Sequence, residues 1–530
     1  MRLLHYILPP LTLLALASCS EEEAYFDKKK LYSTDSIYVN LTLDIAGNTI
    51  TRAVPNGGEE GDGWEYGLTN ENTLHDFTLF VLDGGKNINS PRETTFAGYR
   101  YFSEEEVREV DSIHQYYLNL KEYETEEVLK DVTTYRFAIP ILKSETTEEP
   151  TGYRFLVVAN CGDVHQYTNL GSLRDAKPTR TWTPATADKP ASWFVMTNEN
   201  DKYHAVKGTT EQNPYNLHVT IERMAARIDY DPTGSTLVNG TPRYEVKGVN
   251  PGTNLLAHLY VDRMAIVNGC QKPTYFIKRV ADKINSTTPT YLGDETPAPR
   301  GIATNYVIDP YSTQKIDNPN DGLLDDLYGS SRIKNAATLL SNATPLSLTS
   351  ATYPYILGYV NENTFDAPLA WSYYATGVVV QCRYEPQTHY YTAYDATTGT
   401  LTPGTYNTGT TFWMVEPNTP TIDENDRLYF SNAAAANAYA TDNAHKHFGK
   451  VVEYTNGICY YFTYMRHSNN VDVIHNTMEF GIVRNNIYRF KLLPNTGPGT
   501  PTPDPRHPEE LKARVYVKKW LSVEHPIIYV

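Results

Sequence analysis

Alternating hydrophobic and polar residues near the N-terminus predict a β-strand at 37–45. Side chains of an extended chain point alternately to opposite faces, so aliphatic residues at every second position form one apolar face. That face consists of Ile37, Val39, Leu41, Leu43 and Ile45. A glycine-rich, acidic stretch at 56–63 follows and predicts an exposed loop. The strand is therefore expected to be tethered to the rest of the protein by an exposed segment.

A second alternating segment closes the chain behind a proline-rich stretch. Residues 494–508 contain six prolines and two glycines, a composition that predicts an extended linker outside any core. Beyond it the hydrophobic alternation changes phase, which predicts a terminal strand with a bulge near Lys518 and Lys519. The apolar residues of this strand are Leu511, Ala513, Val515, Val517, Trp520, Leu521 and Val523.

Between these segments, strand-like runs alternate with loops rich in Thr, Asn, Gly and Pro. The predicted strands lie at 77–82, 135–142, 153–160, 193–197, 218–230, 244–249, 255–267, 274–280, 353–360, 377–384, 451–454, 458–465 and 487–492. The alternating helices that a parallel sheet needs are missing. We expect an all-β protein with two tandem β-sandwich domains of transthyretin-like, Greek-key type, long loop insertions and a few short helices.

Length and composition support this prediction and add one helix. A chain of 530 residues is too long for one ordinary core, and 42 tyrosines suit pleated, half-buried sheets. The turn-rich stretch 231–240 is the predicted boundary between the domains. Ser431 is a good N-cap for an alanine-rich run at 433–440, which predicts a helix that lies across a sheet.

The first residues predict export. Arg2 precedes an apolar stretch at 3–17 that is shorter than the ~20 residues needed to cross a bilayer and ends in small residues. The sequence Leu-Ala-Ser-Cys at 16–19 resembles a bacterial lipobox, which implies lipidation of Cys19. The alternative is an ordinary signal peptide with an incidental cysteine. Ser20 and three glutamates behind it resemble the tag that directs some lipoproteins to the cell surface.

Charge and cysteine content narrow the possible partners. The net charge of −16 is dispersed and no basic cluster occurs, which disfavours nucleic acid and anionic membrane surfaces as partners. Besides Cys19, the cysteines are Cys161, Cys270, Cys382 and Cys459. Their wide spacing argues against a zinc site and a dense disulfide framework, and leaves a bridge among them open.

The sequence offers no catalytic motif, so we expect neither an enzyme nor a cofactor. It has no G-x-S-x-G elbow, no phosphate-binding loop and no H-E-x-x-H pair. His445 and His447 could chelate a metal on a strand, but beside a helix end they are expected to be solvated. Residues 317–322 resemble a calcium loop, yet a proline holds a ligand position and no glutamate closes it, so a turn is expected.

Three groups of residues resemble the Mfa-like fimbrillins, the family that builds type V pili. They are VEYTNGICYY at 452–461 with MRH at 465–467 and EFGIVRNNIYRF at 479–490, then FLVVAN at 155–160 with IERMAARID at 221–229, and finally Val515, Val517 and Trp520 behind the proline-rich linker. With the lipobox, these groups extend over most of the chain.

The resemblance implies a lipoprotein precursor that an arginine-specific protease cuts after its first strand. The terminal strand of another subunit then fills the vacated groove, which would be β-augmentation used as a polymer joint. Arg52 would be the cleavage site and Ala53 the new N-terminus; Arg52 is the single Lys or Arg between Lys30 and Lys86. Residues 37–45 would be removed, and 511–523 would be the donor strand.

This interpretation divides the chain and gives its location and partners. The expected divisions are a signal peptide at 1–19, a propeptide at 20–52, an N-terminal domain at 53–235, a C-terminal domain at 236–493, and the linker with donor strand at 494–530. The protein would be anchored at the outer membrane through its lipid before cleavage and lie in a fimbrium afterwards. Its partners would be other copies, tip and anchor subunits, and the protease.

Two alternative functions remain open from the sequence. A glycan-binding surface lipoprotein would use exposed Tyr and Trp rings to stack on sugars. Such a binder does not need tethered terminal strands, whereas a polymer subunit does. Within the fimbrillin family, a tip or anchor subunit is the alternative to a stalk subunit, and the detachable last strand predicted here favours the stalk.

Overall fold

The protein is built mainly of β-strands, and its helices are short. The computed structural model describes residues 36–45, 64–83, 96–107, 133–140, 153–198, 203–206, 209–210, 212–247, 255–281, 290–291, 306–315, 321–365, 371–417, 427–445, 448–467, 478–493, 497–503 and 513–521. The all-β prediction is confirmed. The division into two tandem sandwiches with the predicted boundaries stays a prediction.

Nine strands precede Met224 among the described residues, and the others follow it. The first group is β1 (Ser36–Ile45), β2 (Trp64–Tyr66), β3 (Phe77–Asp83), β4 (Phe96–Phe102), β5 (Thr133–Pro140), β6 (Tyr153–Ala159), β7 (Met196–Asn198), β8 (Tyr203–His204) and β9 (Tyr215–Arg223). The second is β10 (Ala225–Asp231), β11 (Thr236–Val238), β12 (Thr241–Lys247), β13 (Leu255–Val267), β14 (Arg279–Ala281), β15 (Thr290–Tyr291), β16 (Tyr306–Val307), β17 (Tyr355–Asn361), β18 (Gly377–Pro386), β19 (Tyr390–Asp395), β20 (Thr400–Pro403), β21 (Phe412–Pro417), β22 (Leu428–Phe430), β23 (Phe448–Tyr454), β24 (Ile458–Tyr464), β25 (Asn486–Leu492) and β26 (Ala513–Leu521).

The helices are short connectors between the strands. They are α1 (Thr69–Asn72), α2 (Leu170–Asp175), α3 (Asp321–Tyr328), α4 (Ala336–Asn342), α5 (Trp371–Tyr374) and α6 (Ala433–Thr441), with 3-10 turns at Ser312–Lys315, Gly329–Ser331, Ile333–Asn335, Asn443–His445 and Thr455–Gly457. A further helical turn lies at 104–107. No helix in the described ranges is long and apolar enough to cross a membrane.

In the part of the chain that the structure describes, the strands form four main sheets and one small sheet. Sheet I has the order β4-β3-β6-β7-β9-β1-β5, with β8 beside β6. Sheet II is β17-β10-β25-β26-β2, sheet III is β11-β12-β13-β18-β24, and sheet IV is β20-β19-β22-β21-β23. The small sheet is β15-β14-β16. Inward-facing side chains of sheets II and III belong to one core cluster, whereas sheet I has buried clusters on both faces.

The chain passes from sheet I to sheet II at a single residue. The run predicted as one strand at 218–230 is two strands, because the ladder of β9 ends at Arg223 and β10 begins at Ala225. Met224 between them donates its backbone N–H to the Val195 carbonyl, 2.9 Å away. The sequence gives no sign of such a change of partners, because residues 221–230 are buried on both sides of Met224.

Three local predictions need correction. The N-cap of α6 is Asn432, whose side-chain oxygen accepts the Ala435 N–H at 2.9 Å, and not Ser431. The predicted strand at 193–197 is reduced to β7, since Trp193 has a positive φ of 53° that breaks an extended ladder. The predicted strand at 274–280 is regular only from Arg279 onward. The helix α6 packs against sheet IV, as expected.

Candidate functional site

The first described strand of the chain occupies an interior position in sheet I. β1 pairs antiparallel with β5 along Ser36–Leu43 and parallel with β9 along Val39–Ile45. Leu41 lies opposite Tyr135 on one side and Leu217 on the other. The space between β5 and β9 that β1 fills is referred to below as the groove. Removing β1 would therefore break two ladders inside the sheet, whereas removing an edge strand would break only one.

The alternation of β1 places its aliphatic side chains in the core. Val39, Leu41 and Leu43 are at most 4% exposed and pack in the cluster that contains Phe155 and Val157. On the backbone, Ile37 and Ile45 continue the same alternation. Burying three such side chains contributes roughly 4–9 kcal/mol of gross hydrophobic stabilisation. The groove is therefore an apolar site with a clear preference for an alternating strand.

The predicted terminal strand is present and lies in sheet II of its own chain. β26 pairs antiparallel with β25 along Ala513–Lys519 and parallel with β2 at Lys519–Leu521. The ladder with β25 has no register shift, so the predicted bulge near Lys518 and Lys519 is wrong. The hydrophobic phase changes near Lys519, where pairing with β2 begins. Leu511 and Val523 lie outside the described residues.

β26 contributes to the core that sheets II and III share. Val515 lies opposite Phe490 and Val517 opposite Tyr488, and both valines are at most 4% exposed. Ala513, Trp520 and Leu521 belong to the strand by their backbone. The alternation of β26 thus buries aliphatic side chains in the same manner as that of β1. The two strands therefore share an alternating aliphatic pattern but lie in two different sheets.

Part of the proline-rich linker is docked, which corrects the prediction that it stays outside any core. Gly497, Pro498 and Gly499 are buried, and Thr500 exchanges two backbone hydrogen bonds with Tyr460 of 2.8 and 3.0 Å. These residues, 497–500, are called the linker dock. Glycine permits the contact, because a Cβ on Gly499 would collide with the Tyr460 carbonyl oxygen. Composition alone missed this close approach of two backbones.

Two buried tyrosines bind the linker dock from the strands beneath it. The Tyr454 hydroxyl donates to the Gly499 carbonyl at 2.9 Å, and the Tyr461 hydroxyl donates to the Gly497 carbonyl at 2.8 Å. Burial raises the pKa of both phenols well above the ordinary value, so both remain protonated donors near neutral pH. The linker dock therefore restrains the chain shortly before β26.

A buried charge network fixes the segment that follows the predicted cleavage site. Glu71 in α1 accepts a hydrogen bond from Arg227 of β10 at 2.9 Å and from the Tyr359 hydroxyl at 2.5 Å. Asp229 accepts from Arg227 and from Arg489 of β25, each at 3.0 Å. Glu71 and Asp229 are fully buried. The segment from β2 to α1 is thus held to sheet II by ion pairs as well as by the β2 ladder.

The C-terminal part of the chain has a recognisable family pattern. Residues 452–526 match the family model described as "Major fimbrial subunit protein type IV, Fimbrillin, C-terminal". The matched residues include β24, β25, the linker dock and β26. This C-terminal region is similar to the fimbrillin family. The resemblance to fimbrillins seen in the sequence is confirmed, and no curated protein matches the chain.

Two solved structures illustrate the relation at low similarity. A fimbrilin from Porphyromonas gingivalis is 13% identical with a TM-score of 0.38, covering 92% of this chain and 99% of that one. The tip fimbrial protein Mfa3 of Porphyromonas gingivalis, with C-terminal truncation, is 10% identical with a TM-score of 0.35, covering 92% of this chain and 100% of that one.

Several predicted residues of the fimbrillin scheme lie outside the described residues. They are the lipidation residue Cys19, the cleavage site Arg52 and the new N-terminus Ala53. Their roles stay predictions. Within the described ranges, no group of three or more His, Cys, Asp or Glu side chains could hold a metal ion. His445 stacks on Tyr439 with ring centroids 4.0 Å apart, which gives this histidine a packing contact.

Proposed function

We propose that this protein is a structural subunit of a cell-surface fimbria that polymerises by strand exchange. The observation that carries the proposal is the interior position of β1 between β5 and β9. An N-terminal strand that could be cut away completes sheet I, and a strand of similar alternation ends the described chain. Loss of β1 would create the groove, and β26 of another copy would fill it.

The steps before polymerisation follow from the sequence predictions. The precursor is exported, lipidated at Cys19 and anchored at the outer membrane surface. An arginine-specific protease cuts after Arg52, which lies between β1 and β2 in the chain. The cut separates β1 from the remainder of the chain. β2 and α1 stay attached to sheet II through the ladder between β2 and β26 and through the ion pair between Glu71 and Arg227.

The energetics favour replacement of β1 over an empty groove. An empty groove would expose the apolar cluster beneath Val39, Leu41 and Leu43 and leave the ladder groups of β5 and β9 without their partner strand. Unsatisfied ladder groups and exposed apolar surface both favour the addition of a strand. A donor with alternating aliphatic residues restores the burial and the hydrogen bonds together. This is the physical basis of a stable joint.

The donor must leave its own sheet before it can join another. In the structure β26 is paired with β25 and β2, and the linker dock holds the chain that leads to it. In the proposed exchange, β26 therefore moves from its position in sheet II of the donor to the groove of the acceptor. Polymer growth is expected to be limited by release of β26 and to proceed slowly.

Peptide competition tests the proposal directly. The precursor is treated with an arginine-specific protease, and detergent-resistant ladders are followed on gels with and without a synthetic peptide of residues 36–45. We expect cleavage after Arg52, loss of the 36–45 strand by mass spectrometry, and ladders that the peptide suppresses. A matched peptide carrying Leu41→Asp should not suppress them, because a carboxylate at this fully buried position cannot enter the groove.

One control variant and two possible outcomes test whether assembly requires cleavage and uses the groove. A precursor with Arg52→Ala should remain intact and monomeric under the same treatment. Cleaved protein that has lost β1 and still forms no ladder, and that also ignores the 36–45 peptide, would contradict the proposal. Ladders that form equally well with the peptide present would also contradict it, since they would then use another surface.

The second candidate function is that of a tip or anchor subunit. The observation that favours it is the pairing of β26 with β25 and β2 of its own chain. Such a subunit would have a groove but would keep its last strand. Cleaved protein that binds the 36–45 peptide yet forms no ladder by itself would assign this role. Cleaved protein that forms ladders alone would assign the stalk role, with accessory tip and anchor subunits as further partners.

A further inference from the structure

Two cysteines of sheet III lie opposite each other on neighbouring strands. β18 pairs antiparallel with β24, and the register places Cys382 opposite Cys459. Directly opposite residues of a ladder point to the same face of the sheet. Both side chains are fully buried in the core shared by sheets II and III, and both are free thiols in the structure. The two thiols are therefore neighbours inside one core.

The backbone spacing of this pair suits a disulfide. Opposite residues of an antiparallel ladder have Cα atoms about 4.5–5.5 Å apart. Disulfides join cysteines whose Cα atoms are about 4.4–6.8 Å apart. The ladder between Gly377 and Arg383 has no register shift that would separate the pair. Bond formation needs side-chain rotation but no movement of either strand.

We propose that Cys382 and Cys459 are joined by a disulfide in the exported protein. The two thiols lose two protons and two electrons as the S–S bond forms. The electrons reduce the disulfide of a thiol–disulfide oxidoreductase or of oxidised glutathione to two thiols, so the exchange is balanced. The bond depends on export to an oxidising compartment, which is part of the proposed function, but it does not depend on strand exchange.

The surroundings of the pair determine when the bond forms. Burial raises the pKa of Cys459 to about 12, and burial together with the neighbouring Cys459 raises that of Cys382 well above the ordinary value. The thiolate is the reactive form, so the folded, reduced pair reacts slowly. The bond is therefore made during folding, before β18 and β24 are covered by sheet II. Once made, it is protected from reduction by the same burial.

The bond would also strengthen the platform for the linker dock. Tyr460, next to Cys459 in β24, exchanges backbone hydrogen bonds with Thr500, and Tyr461 donates to Gly497. A covalent link from β24 to β18 joins the edge strand that carries these contacts to its interior neighbour in sheet III. The last segment of the chain is then held against a cross-linked sheet in the exported precursor.

Peptide mapping tests the proposal with an internal control. The full-length protein, produced with its own export signal, is denatured without reductant, alkylated and digested, and the peptides are identified by mass spectrometry. We expect one linked pair of peptides from β18 and β24, lighter by two hydrogen atoms than the two thiol peptides. Cys161 and Cys270 pack in two other clusters and should be alkylated. Alkylated Cys382 and Cys459 in the same sample would overturn the proposal.

A variant separates the bond from simple packing. Cys459→Ala should leave Cys382 open to alkylation and lower the thermal midpoint by about 5–10 °C without reductant. Protein refolded and kept in reductant should lose most of this difference from the variant, whereas Cys161→Ala should change neither measurement. An equal effect of Cys459→Ala with and without reductant would overturn the proposal. These readouts do not involve ladders, so they remain valid whether or not the protein polymerises.

Discussion

Leu41, at the centre of β1, lies opposite Leu217 of β9, and both side chains are fully buried in the same core. The two residues differ in their expected fate. Leu41 belongs to the strand that the proposed cleavage removes, whereas Leu217 remains in the wall of the groove. This pair therefore distinguishes what stabilises the precursor from what stabilises the polymer.

Leucine-to-alanine substitutions at the two positions should behave differently after processing. Leu41→Ala and Leu217→Ala should each lower the unfolding free energy of the precursor by about 2–5 kcal/mol, because each leaves a cavity in the same core. After cleavage, polymers made from Leu41→Ala protein should match the wild type in detergent resistance, and those from Leu217→Ala should be weaker. Chemical denaturation and gels measure the two effects. Equal weakening of both polymers would mean that β1 is retained.

Gly499→Ala should release the linker dock and speed assembly of the cleaved protein. The added Cβ would collide with the Tyr460 carbonyl oxygen and disrupt the nearby tyrosine hydrogen bonds. Loss of one or two kcal/mol of docking would raise the rate of β26 release by about 5- to 30-fold. Ladder formation over time measures the rate. Pro501→Ala, at an exposed position of the same segment, is the matched control and should leave the rate unchanged.

Strand alternation could be predicted from the sequence, but strand partners could not. The period-two patterns at β1 and β26 depend only on which face is buried, and the structure has both strands. The change from sheet I to sheet II at Met224 gives no signal in the sequence, because buried residues occur on both sides of it. The linker dock was missed for a similar reason: its stability comes from Tyr454 and Tyr461, far away in sequence from a stretch that composition alone describes as extended.

The Glu71 network was also beyond sequence reasoning. Glu71 lies in a four-residue helix with no unusual pattern, and its partners Arg227 and Tyr359 are distant in the chain. Nothing local indicates that this glutamate is buried. Sequence patterns report burial when apolar residues repeat, and a single buried charge produces no repeat.

Glu71→Gln should destabilise the protein strongly. The substitution removes the charge that pairs with Arg227 and leaves that guanidinium buried with a weaker partner, so we expect a loss of about 3–5 kcal/mol. Urea denaturation measures the loss. Glu245→Gln, which removes an exposed ion pair with Lys247, is the control and should cause no measurable change. A small effect at Glu71 would show that the network is dispensable for the junction between α1 and sheet II.

Stability should fall at alkaline pH, and the linker dock should contribute to the fall. The pKa values of Tyr454 and Tyr461 are raised in the folded protein, so above the ordinary tyrosine pKa of 10.0 the unfolded chain loses these protons first. Fewer protons bound in the unfolded state means that the unfolding free energy decreases as pH rises, whereas below pH 10 this contribution is fully present. Urea midpoints measured from pH 8 upward should therefore drop beyond about pH 10.

The double variant Tyr454→Phe and Tyr461→Phe should be less stable at pH 8 and show a shallower alkaline drop. Tyr353→Phe, at a position 74% exposed, should keep the wild-type profile, and an identical alkaline drop in the double variant would contradict the assignment.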